Sequence, residues 1–383
     1  MGTDHDGGLF GLGDLLPRAD STPEVRPPHM AGRDLTRAAV LLPFSHPNRR
    51  VREEAEGLLA AIELALFELG SQEMLVLPKD TGGTQAGAQR AAEAALGHGA
   101  DVVLGPLFSA NVQVVKGLAN RSGAPVIAFS NDLEAAGGGA WLATLTVEEE
   151  VDRVVAFAVA GGVETLAFLG PRSDYGRRAE RALRTTASRL GVPVIATNFY
   201  DPNNDAPVDE AKRLADLLQP RIEENPDSVG VLIPEEGVKL RAVAPLIPYY
   251  GVDFRKYRVL GTSRWNDPSV WREPTLQGGL YAAPPAEEIE AFRTAYREAY
   301  GRDPSDLASI GYDAAAMVMA LGRTGELTLN GLTSEDGFMG VNGLFRFRLD
   351  GTSQRSLAVY RIDTQDGASL IDPGRTSFGD EIG

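Results

Sequence analysis

The sequence predicts an α/β protein whose parallel sheets form two similar lobes, and three observations support this prediction. From Thr36 onward, short apolar runs alternate with amphipathic helical stretches, which is the pattern of successive βαβ units. The pattern occurs as one set of units that ends near residue 145 and a second set that continues to about residue 260. The length of 383 residues also exceeds that of one domain, at roughly 150 residues per domain.

The first set of units contains apolar runs that predict strands at 38–42, 74–77, 102–104 and 125–129. Apolar residues recur at helical spacing from Ala55 to Leu69, and an alanine stripe extends from Ala88 to Ala95. Each predicted helix therefore presents one apolar face to a sheet.

The second set repeats this organisation. Its apolar runs predict strands at 165–169, 192–196, 229–233 and 258–260. Apolar residues at helical spacing extend from Val208 to Ile222 and predict one of the connecting helices. After residue 275 come a predicted strand at 279–282 and two amphipathic helices.

The last predicted element is antiparallel β-structure. Apolar and basic residues alternate over 344–349, and a turn at Asp350 and Gly351 leads to a second run over 357–362. This alternation differs from the continuous apolar runs of the two parallel sheets.

Both ends of the chain depart from these patterns. Residues 1–34 are rich in proline, glycine and charge, and they lack the apolar core of a signal peptide. We predict a disordered leader over 1–34 and a mobile tail over 364–383. Either the protein is cytosolic, or an export signal has been trimmed away.

The composition argues against several classes of function. The chain has 37 basic and 53 acidic side chains and a net charge of −16, which disfavours nucleic acid and anionic lipid as partners. It has no cysteine, which excludes disulfides, thiolate metal sites and thiol nucleophiles. No run approaches the roughly 18 to 20 apolar residues of a bilayer crossing.

The sequence lacks the motifs of metal, nucleotide and catalytic sites. The histidines are scattered without metal-ligand spacing, and the glycine-rich segments at 80–84 and 137–139 lack the rest of a phosphate-binding motif. Ser109 lacks the flanking glycines of a nucleophile elbow. The pair Glu235 and Glu236 could act in acid–base chemistry, but carboxylates are common throughout so acidic a chain. We therefore predict no cofactor, no metal and no enzyme activity.

The loops that follow the predicted strands hold the candidate ligand-binding residues, because ligands of open parallel sheets bind at the carboxyl ends of the strands. The candidates are Ser45, Phe108, Ser109, Ser130, Asn131, Asp132, Tyr175 and Trp265. Their hydroxyl, amide and aromatic groups suit a small polar ligand, although helix capping alone explains most such serines and aspartates. Tyr175 and Trp265 follow strands of the second lobe and could close on a ligand held by the first. Packing beneath its own loop is the alternative for Trp265.

Several of these loops carry motifs of a known fold. They are VLLPFS at 40–45, LGPLFS at 104–109, IAFSND at 127–132, SDYG at 173–176, LGTSRW at 260–265 and GLFRF at 343–347. Together they resemble the type I periplasmic binding-protein fold, of the leucine-binding kind, over about residues 36–362. Within that fold, the resemblance is closest to the penicillin-binding-protein activator lipoproteins of Gram-negative bacteria.

The resemblance implies two Rossmann-like lobes with parallel sheets and a ligand cleft between them. In this organisation the first lobe comprises 35–145 and 275–325, and the second comprises 146–274 and 326–363. The chain would thus return to the first lobe and end in the second.

The resemblance also implies roles for particular residues. By position, Ser109, the segment 130–132 and Tyr175 would hold a ligand's carboxylate and ammonium. Asp132 stands where amino-acid receptors of this fold usually have threonine. An acid there would oppose a ligand carboxylate, although it could pair with an ammonium.

Two functions follow from the resemblance, both in the periplasm, with the signal or lipid anchor trimmed from this chain. In the first, a non-enzymatic domain closes on a small polar, amino-acid-like ligand for transport or sensing, with the membrane permease of an ABC transporter as a partner. In the second, the protein is a penicillin-binding-protein activator that serves as an interaction scaffold for a peptidoglycan synthase.

Overall fold

The structure, a computed structural model, describes residues 35–70, 74–363 and 367–378. Within these residues the chain forms two lobes, each built on a sheet of mainly parallel strands, so the predicted α/β fold is confirmed. The leader predicted at 1–34 lies outside the described residues. None of the described helices combines the length and hydropathy needed to cross a membrane.

The first lobe contains a five-stranded parallel sheet flanked by helices. Its strands are β1 (Thr36–Leu42), β2 (Met74–Asp80), β3 (Val102–Leu104), β4 (Val126–Ala128) and β5 (Ala140–Leu142). Its first helices are α1 (Arg49–Glu68), α2 (Gln85–Gly97) and α3 (Ser109–Ser122). The strand order is β2-β1-β3-β4-β5, with every pair parallel.

The second lobe has the same organisation. Its parallel strands are β6 (Thr165–Pro171), β7 (Val194–Tyr200), β8 (Val229–Leu232), β9 (Arg258–Gly261) and β10 (Leu280–Ala283). Its helices are α4 (Val147–Ala160), α5 (Asp174–Leu190), α6 (Val208–Glu224), α7 (Gly237–Val243), α8 (Leu246–Tyr249) and α9 (Pro268–Trp271). These strands lie in the order β10-β9-β8-β6-β7.

The remaining chain adds to both lobes. Its helices are α10 (Ala286–Tyr300), α11 (Ala308–Thr324) and α12 (Leu329–Leu332). Its strands are β11 (Phe338–Gly340), β12 (Gly343–Phe347), β13 (Ser353–Arg355), β14 (Ala358–Asp363) and β15 (Gly367–Asp372). Strands β11 to β13 form a small antiparallel sheet, whereas β14 and β15 extend the second lobe's sheet next to β10.

Both faces of the two main sheets are buried, which explains the continuous apolar runs in the sequence. In β1, Ala38 and Val40 pack into the core on one face, and Ala39 and Leu41 pack into the core on the other. Helix α11 packs against α1 on the first of these faces, and α2 and α3 cover the second. The same alternation places both faces of β6 in separate cores.

The chain passes between the lobes at three crossings, after β5, after β10 and after β13. The predicted return to the first lobe was at residue 275, whereas the pairing of β10 with β9 and β14 places the crossing after Ala283. The predicted boundary at 325 also differs, since Phe345 and Phe347 of the small sheet pack with Phe129 of the first lobe. Apolar alternation predicts that these strands have a buried face, but it does not specify which lobe covers that face.

The C-terminal strands also differ in pairing from the prediction. The turn at Asp350 and Gly351 is present, but β12 pairs with β13, while the predicted partner 357–362 lies in the second lobe's sheet as β14. Within the predicted tail, β15 forms an antiparallel edge strand on β14. Its sequence, GASLID, is short, and its apolar residues form no continuous run, because an edge strand with an exposed face needs few apolar residues.

Candidate functional site

A cavity of about 580 Å³ lies between the lobes beside the first two crossings, and we call it the hinge cavity. Residues of both crossings line it, namely Thr144 to Val147 after β5, and Ala283 with Pro284 after β10. The cavity therefore adjoins the segments about which the lobes would move.

The second lobe contributes a polar and charged wall. Its side chains are Glu150, Tyr175, Arg178, Glu236, Ser263 and Arg264. All of them lie at the carboxyl ends of the parallel strands, in loops or in the first two turns of helices. Two caps fix these helix starts: Thr146 and Glu149 form a reciprocal capping box on α4, and Ser173 accepts the Gly176 N–H at the start of α5.

Arg264 lies over an aromatic ring in this wall. Its guanidinium carbon is 3.6 Å from the centre of the Tyr175 ring, within the range of a cation–π contact. The Tyr175 hydroxyl is 2.9 Å from Thr262 Oγ1. Burial and the charge of Glu150 raise the pKa of Tyr175, so its hydroxyl stays protonated.

Glu150 is a buried carboxyl group beside this pair. Its Oε1 accepts the Ser263 N–H at 3.2 Å. Burial raises the pKa of Glu150 to about 7, against the opposing effects of the hydrogen bonds from Ser263 and the charge of Arg264. Near neutral pH this side chain is therefore present in both the carboxylic acid and the carboxylate form.

Arg178 is held by an ion pair. Its Nε and Nη2 donate to the two carboxylate oxygens of Glu148 at 2.9 and 2.7 Å. The hydrogen bonds to Glu148 raise the pKa of Arg178, and the charge of Asp132 on the first lobe adds to this effect.

The first lobe contributes a wall that contains most of the apolar side chains. Ile289 and Phe292 come from α10, and Leu307 and Ile310 come from the start of α11. The carboxylate of Glu54 in α1 accepts the Leu307 N–H at 2.7 Å and fixes this segment against the lobe. Arg293 and Asp306 belong to the same wall, so charged side chains line the hinge cavity from both lobes.

Two hydroxyl groups of the hinge cavity, those of Thr144 and Ser305, have no hydrogen-bond partner in the described part of the chain. Thr144 is 5% exposed, and its hydroxyl makes no hydrogen bond to any described residue. A buried hydroxyl without a partner is unfavourable by about 1–3 kcal/mol. Thr144 is therefore a group that a ligand in the cavity would stabilise.

Of the residues predicted from the sequence, Asn131 and Tyr175 line the hinge cavity. Ser130 and Asp132 flank Asn131, and their side chains stabilise the local turn. Ser130 Oγ accepts the Asp132 N–H at 3.2 Å, and Asp132 Oδ1 accepts the Glu134 N–H at 3.1 Å. Helix capping therefore applies to Asp132, the N-cap of the short 3₁₀ helix Leu133–Ala135, whereas Ser130 caps no helix.

Three other predicted residues lie outside the hinge cavity, at the carboxyl ends of β1 and β3. We call Ser45, Phe108 and Ser109 the first-lobe mouth. The N–H of Ser45 donates to Asp80 Oδ1 at 3.1 Å, and the ring of Phe108 lies 5.6 Å from that of His46. Ser109 is the first residue of α3, whose N-cap has no side-chain hydrogen bond.

Trp265 lies in the core of the second lobe. It is completely buried, and its Nε1 donates to the Ile233 carbonyl at 3.3 Å. The structure thus places the indole beneath its loop and away from the lining of the hinge cavity.

Sequence reasoning did not select several residues that line the cavity. Glu236, Ser263 and Arg264 lie in the loops after β8 and β9, so the strand-end rule pointed to their positions. Glu150 is in the first turn of α4, where a carboxylate is ordinary, and nothing in its spacing indicated burial. The wall formed by α10 comes from the other side of a crossing and has no local sequence signal.

Within residues 35–70, 74–363 and 367–378, no group of three or more histidine, cysteine, aspartate or glutamate side chains is placed to hold a metal ion.

Comparisons with known proteins agree on the fold. A family model described as periplasmic binding protein matches residues 37–368. No curated protein matches the sequence of the chain. Among solved structures, a proposed branched-chain amino acid ABC transporter from Rhodospirillum rubrum superposes with a TM-score of 0.75 at 19% identity, covering 88% of this chain and 100% of that one.

Two further solved structures contain ligands. The branched-chain amino acid transporter substrate-binding protein from Streptococcus pneumoniae, in complex with isoleucine, has a TM-score of 0.56 and 15% identity, covering 88% of this chain and 100% of that one. A solute-binding protein of an ABC transporter from Rhodopseudomonas palustris, in complex with 3,4-dihydroxybenzoic acid, has a TM-score of 0.56 and 16% identity, covering 90% and 99%. At these identities the likeness shows the fold alone.

Proposed function

The chain belongs to the periplasmic binding protein family, and on this premise we propose that it is a non-enzymatic solute-binding domain whose lobes close on a small organic ligand in the hinge cavity. The observation that carries the proposal is that both lobes line one cavity beside the crossings. A ligand that contacts both walls stabilises the closed state over the open one, because only the closed state makes both sets of contacts. The cavity volume lies in the usual range for small-molecule sites.

The similar structures support a small carboxylic acid as the ligand and transport as the output. Their ligands, isoleucine and 3,4-dihydroxybenzoic acid, are both carboxylic acids, and both proteins belong to transporters. For this chain, a periplasmic location and a membrane permease as partner follow from the same proposal. Transport therefore has more support than sensing among the uses of a closing domain.

Calorimetric titration tests the proposal, with the natural amino acids and a set of aliphatic and aromatic carboxylic acids as ligands. At least one should bind the wild-type protein. Ala286 is an exposed residue at the start of α10 that lines the cavity, so Ala286→Trp should block binding. Glu287→Trp, at the adjacent exposed position outside the lining, is the matched control and should bind normally. Absence of binding to every compound, or equal binding by both variants, would contradict the proposal.

A second function is favoured by one sequence observation, the Phe-Ser-Asn-Asp motif at 129–132, which resembles the activator lipoproteins. In that function the lobes are a scaffold that contacts a peptidoglycan synthase. A glycan-polymerisation assay with a bifunctional synthase distinguishes the two functions. Stimulation that persists in Ala286→Trp would support the scaffold, and no contact with the synthase would exclude it.

A further inference from the structure

Residues 373–378 join the edge of the second lobe to the first lobe. They follow β15, which is hydrogen-bonded to β14 in the second lobe's sheet. At their other end, Phe378 is only 3% exposed and packs beside Arg346 of β12. Strand β12 belongs to the small sheet, which packs on the first lobe. The described chain therefore passes between the lobes a fourth time, beside the three crossings.

The second-lobe end of this segment is fixed by Arg153 of α4. The Nη2 atom of Arg153 lies 2.7 Å from Asp372 Oδ1, and its Nε donates to the Leu357 carbonyl of the third crossing at 2.7 Å. Asp372 Oδ1 also accepts the Gly374 N–H at 2.8 Å. One arginine thus holds both the base of the segment and the third crossing.

The middle of the segment lies directly on the third crossing. The Arg375 N–H donates to the hydroxyl oxygen of Ser356, which is a buried residue of that crossing. Gly374 has a φ of +80°, and a Cβ there would lie 2.8 Å from Ser356 Oγ and 2.9 Å from the Leu357 carbonyl oxygen. Glycine is required at this position, because a Cβ atom does not fit at such distances and because the positive φ is unfavourable for other residues.

The first-lobe end is fixed by the Phe378 ring. The guanidinium carbon of Arg346 lies 4.5 Å from the centre of this ring, within the range of a cation–π contact. The backbone of Gly337 approaches the ring closely, since a Cβ on Gly337 would lie 2.9 Å from Phe378 Cδ2. Burial of a phenylalanine side chain favours the packed state by roughly 10- to 100-fold.

We propose that residues 373–378 form a strap that limits the movement of the two lobes relative to each other, with Phe378 as its anchor on the first lobe. A segment of this length spans at most about 20 Å when fully extended. The ends of the strap, Asp372 and Phe378, therefore cannot move far apart while both are held. A larger movement of the lobes requires Phe378 to leave its packed position. The strap acts in this way with or without a solute in the hinge cavity.

Double electron–electron resonance between two spin labels measures lobe movement in the full chain. The chain has no cysteine, so Ala86→Cys and Asp209→Cys provide one labelling site in each lobe. Both residues are exposed and lie in the first turn of a helix, α2 in the first lobe and α6 in the second. These helices follow β2 and β7, which are the edge strands farthest from the crossings in the two sheets. A rotation about the crossings therefore displaces these positions the most.

Two variants of the labelled protein release the strap at different points. Phe378→Ala removes the anchor, and Gly374→Ala lifts the strap from the third crossing. Each should broaden the distribution of distances between the labels. Phe378→Ala should also accelerate hydrogen exchange at the Arg375 amide by about 10- to 100-fold, because the strap detaches more often.

Phe67→Ala is the matched control, the same substitution at a ring in α1 that is 77% exposed. It should leave the distance distribution and the hydrogen exchange at Arg375 unchanged. Thermal unfolding should show that all three variants are folded.

An unchanged distance distribution in Phe378→Ala and Gly374→Ala would overturn the proposal. This holds even if hydrogen exchange at Arg375 becomes faster, because the segment would then pack on the lobes without limiting their movement. Equal broadening in Phe67→Ala would also overturn it. These measurements use no ligand, so their outcome is separate from the success or failure of the proposed solute binding.

Discussion

Ser353 donates a hydrogen bond of 2.9 Å from its hydroxyl to Glu149 Oε1, and this contact joins the small sheet of the first lobe to the first turn of α4 in the second. The other carboxylate oxygen of Glu149 accepts the N–H and the hydroxyl of Thr146 at 3.0 and 2.9 Å. One side chain therefore caps a helix of one lobe and contacts the other lobe beside a crossing.

We predict that Ser353→Ala and Glu149→Ala lower the stability by different amounts, and that the two losses are not additive. Ser353→Ala should lower the free energy of unfolding by about 1 kcal/mol, the value of one hydrogen bond. Glu149→Ala should lower it by about 2 kcal/mol, because the cap of α4 is lost as well. In the Glu149→Ala background, Ser353→Ala should have little further effect. Urea unfolding of the double-mutant cycle measures this coupling, and strictly additive losses would show that the two residues do not interact.

The buried carboxyl of Glu150 predicts a pH dependence of stability. Its pKa is about 7 in the folded protein, against an ordinary value of 4.5, and the facing groups are Arg264, Glu149 and Ser263. Between these pH values the folded protein holds a proton that the unfolded chain has lost, so stability from this group falls as pH rises through that window. Above about pH 7 the contribution is constant.

Glu150→Gln should remove this dependence. The free energy of unfolding of the variant minus that of the wild type should increase as pH rises from about 4.5 to about 7. This increase should be at most about 3 kcal/mol. Denaturant unfolding at a series of pH values measures the difference between the two proteins. A difference that is the same at pH 5 and pH 8 would show that Glu150 ionises as freely in the folded protein as in the unfolded chain.

The sequence predicts most strands of the two parallel sheets, because a strand that is buried on both faces requires a continuous run of apolar residues. Val40 and Leu41 show the reason, since they point into opposite cores. The lobe boundaries depend on tertiary pairing and were less predictable. Nothing local in β10 specifies pairing with β9, and the edge strand β15 is short and has no continuous apolar run by which to recognise it.

The candidate site was predictable where it follows topology and unpredictable where it depends on packing. Two of the residues predicted at strand ends, Tyr175 and Asn131, line the hinge cavity. Residue type alone could not show that Trp265 turns into the core while Arg264, its neighbour, turns to the cavity. The inward orientation of Trp265 depends on a close approach between the backbone and its indole ring.

Gly261 provides this close approach and predicts a strong effect of one methyl group. A Cβ on Gly261 would overlap the Trp265 ring, whereas a Cβ on Gly117, within α3, would meet no atom within 4 Å. Gly261→Ala should therefore lower the free energy of unfolding by about 1–3 kcal/mol through overpacking. Gly117→Ala is the control and should raise it by about 0.5–1 kcal/mol, because alanine favours a helix over glycine. Thermal unfolding of both variants measures the contrast, and equal effects would place Trp265 away from Gly261.

The last prediction locates the ligand along the cleft. Ser109 belongs to the first-lobe mouth and lies outside the hinge cavity, although its position at the end of β3 suggests a role in ligand binding. If the ligand occupies the hinge cavity, Ser109→Ala removes no contact with it, and the dissociation constant should stay within about twofold of the wild-type value, which is under about 0.5 kcal/mol. Calorimetry with any ligand found to bind measures this, and Arg264→Gln shows the size of a genuine loss. A loss of about tenfold in Ser109→Ala with none in Arg264→Gln would move the site to the mouth, since an unpaired ligand oxygen is unfavourable by about 1–3 kcal/mol.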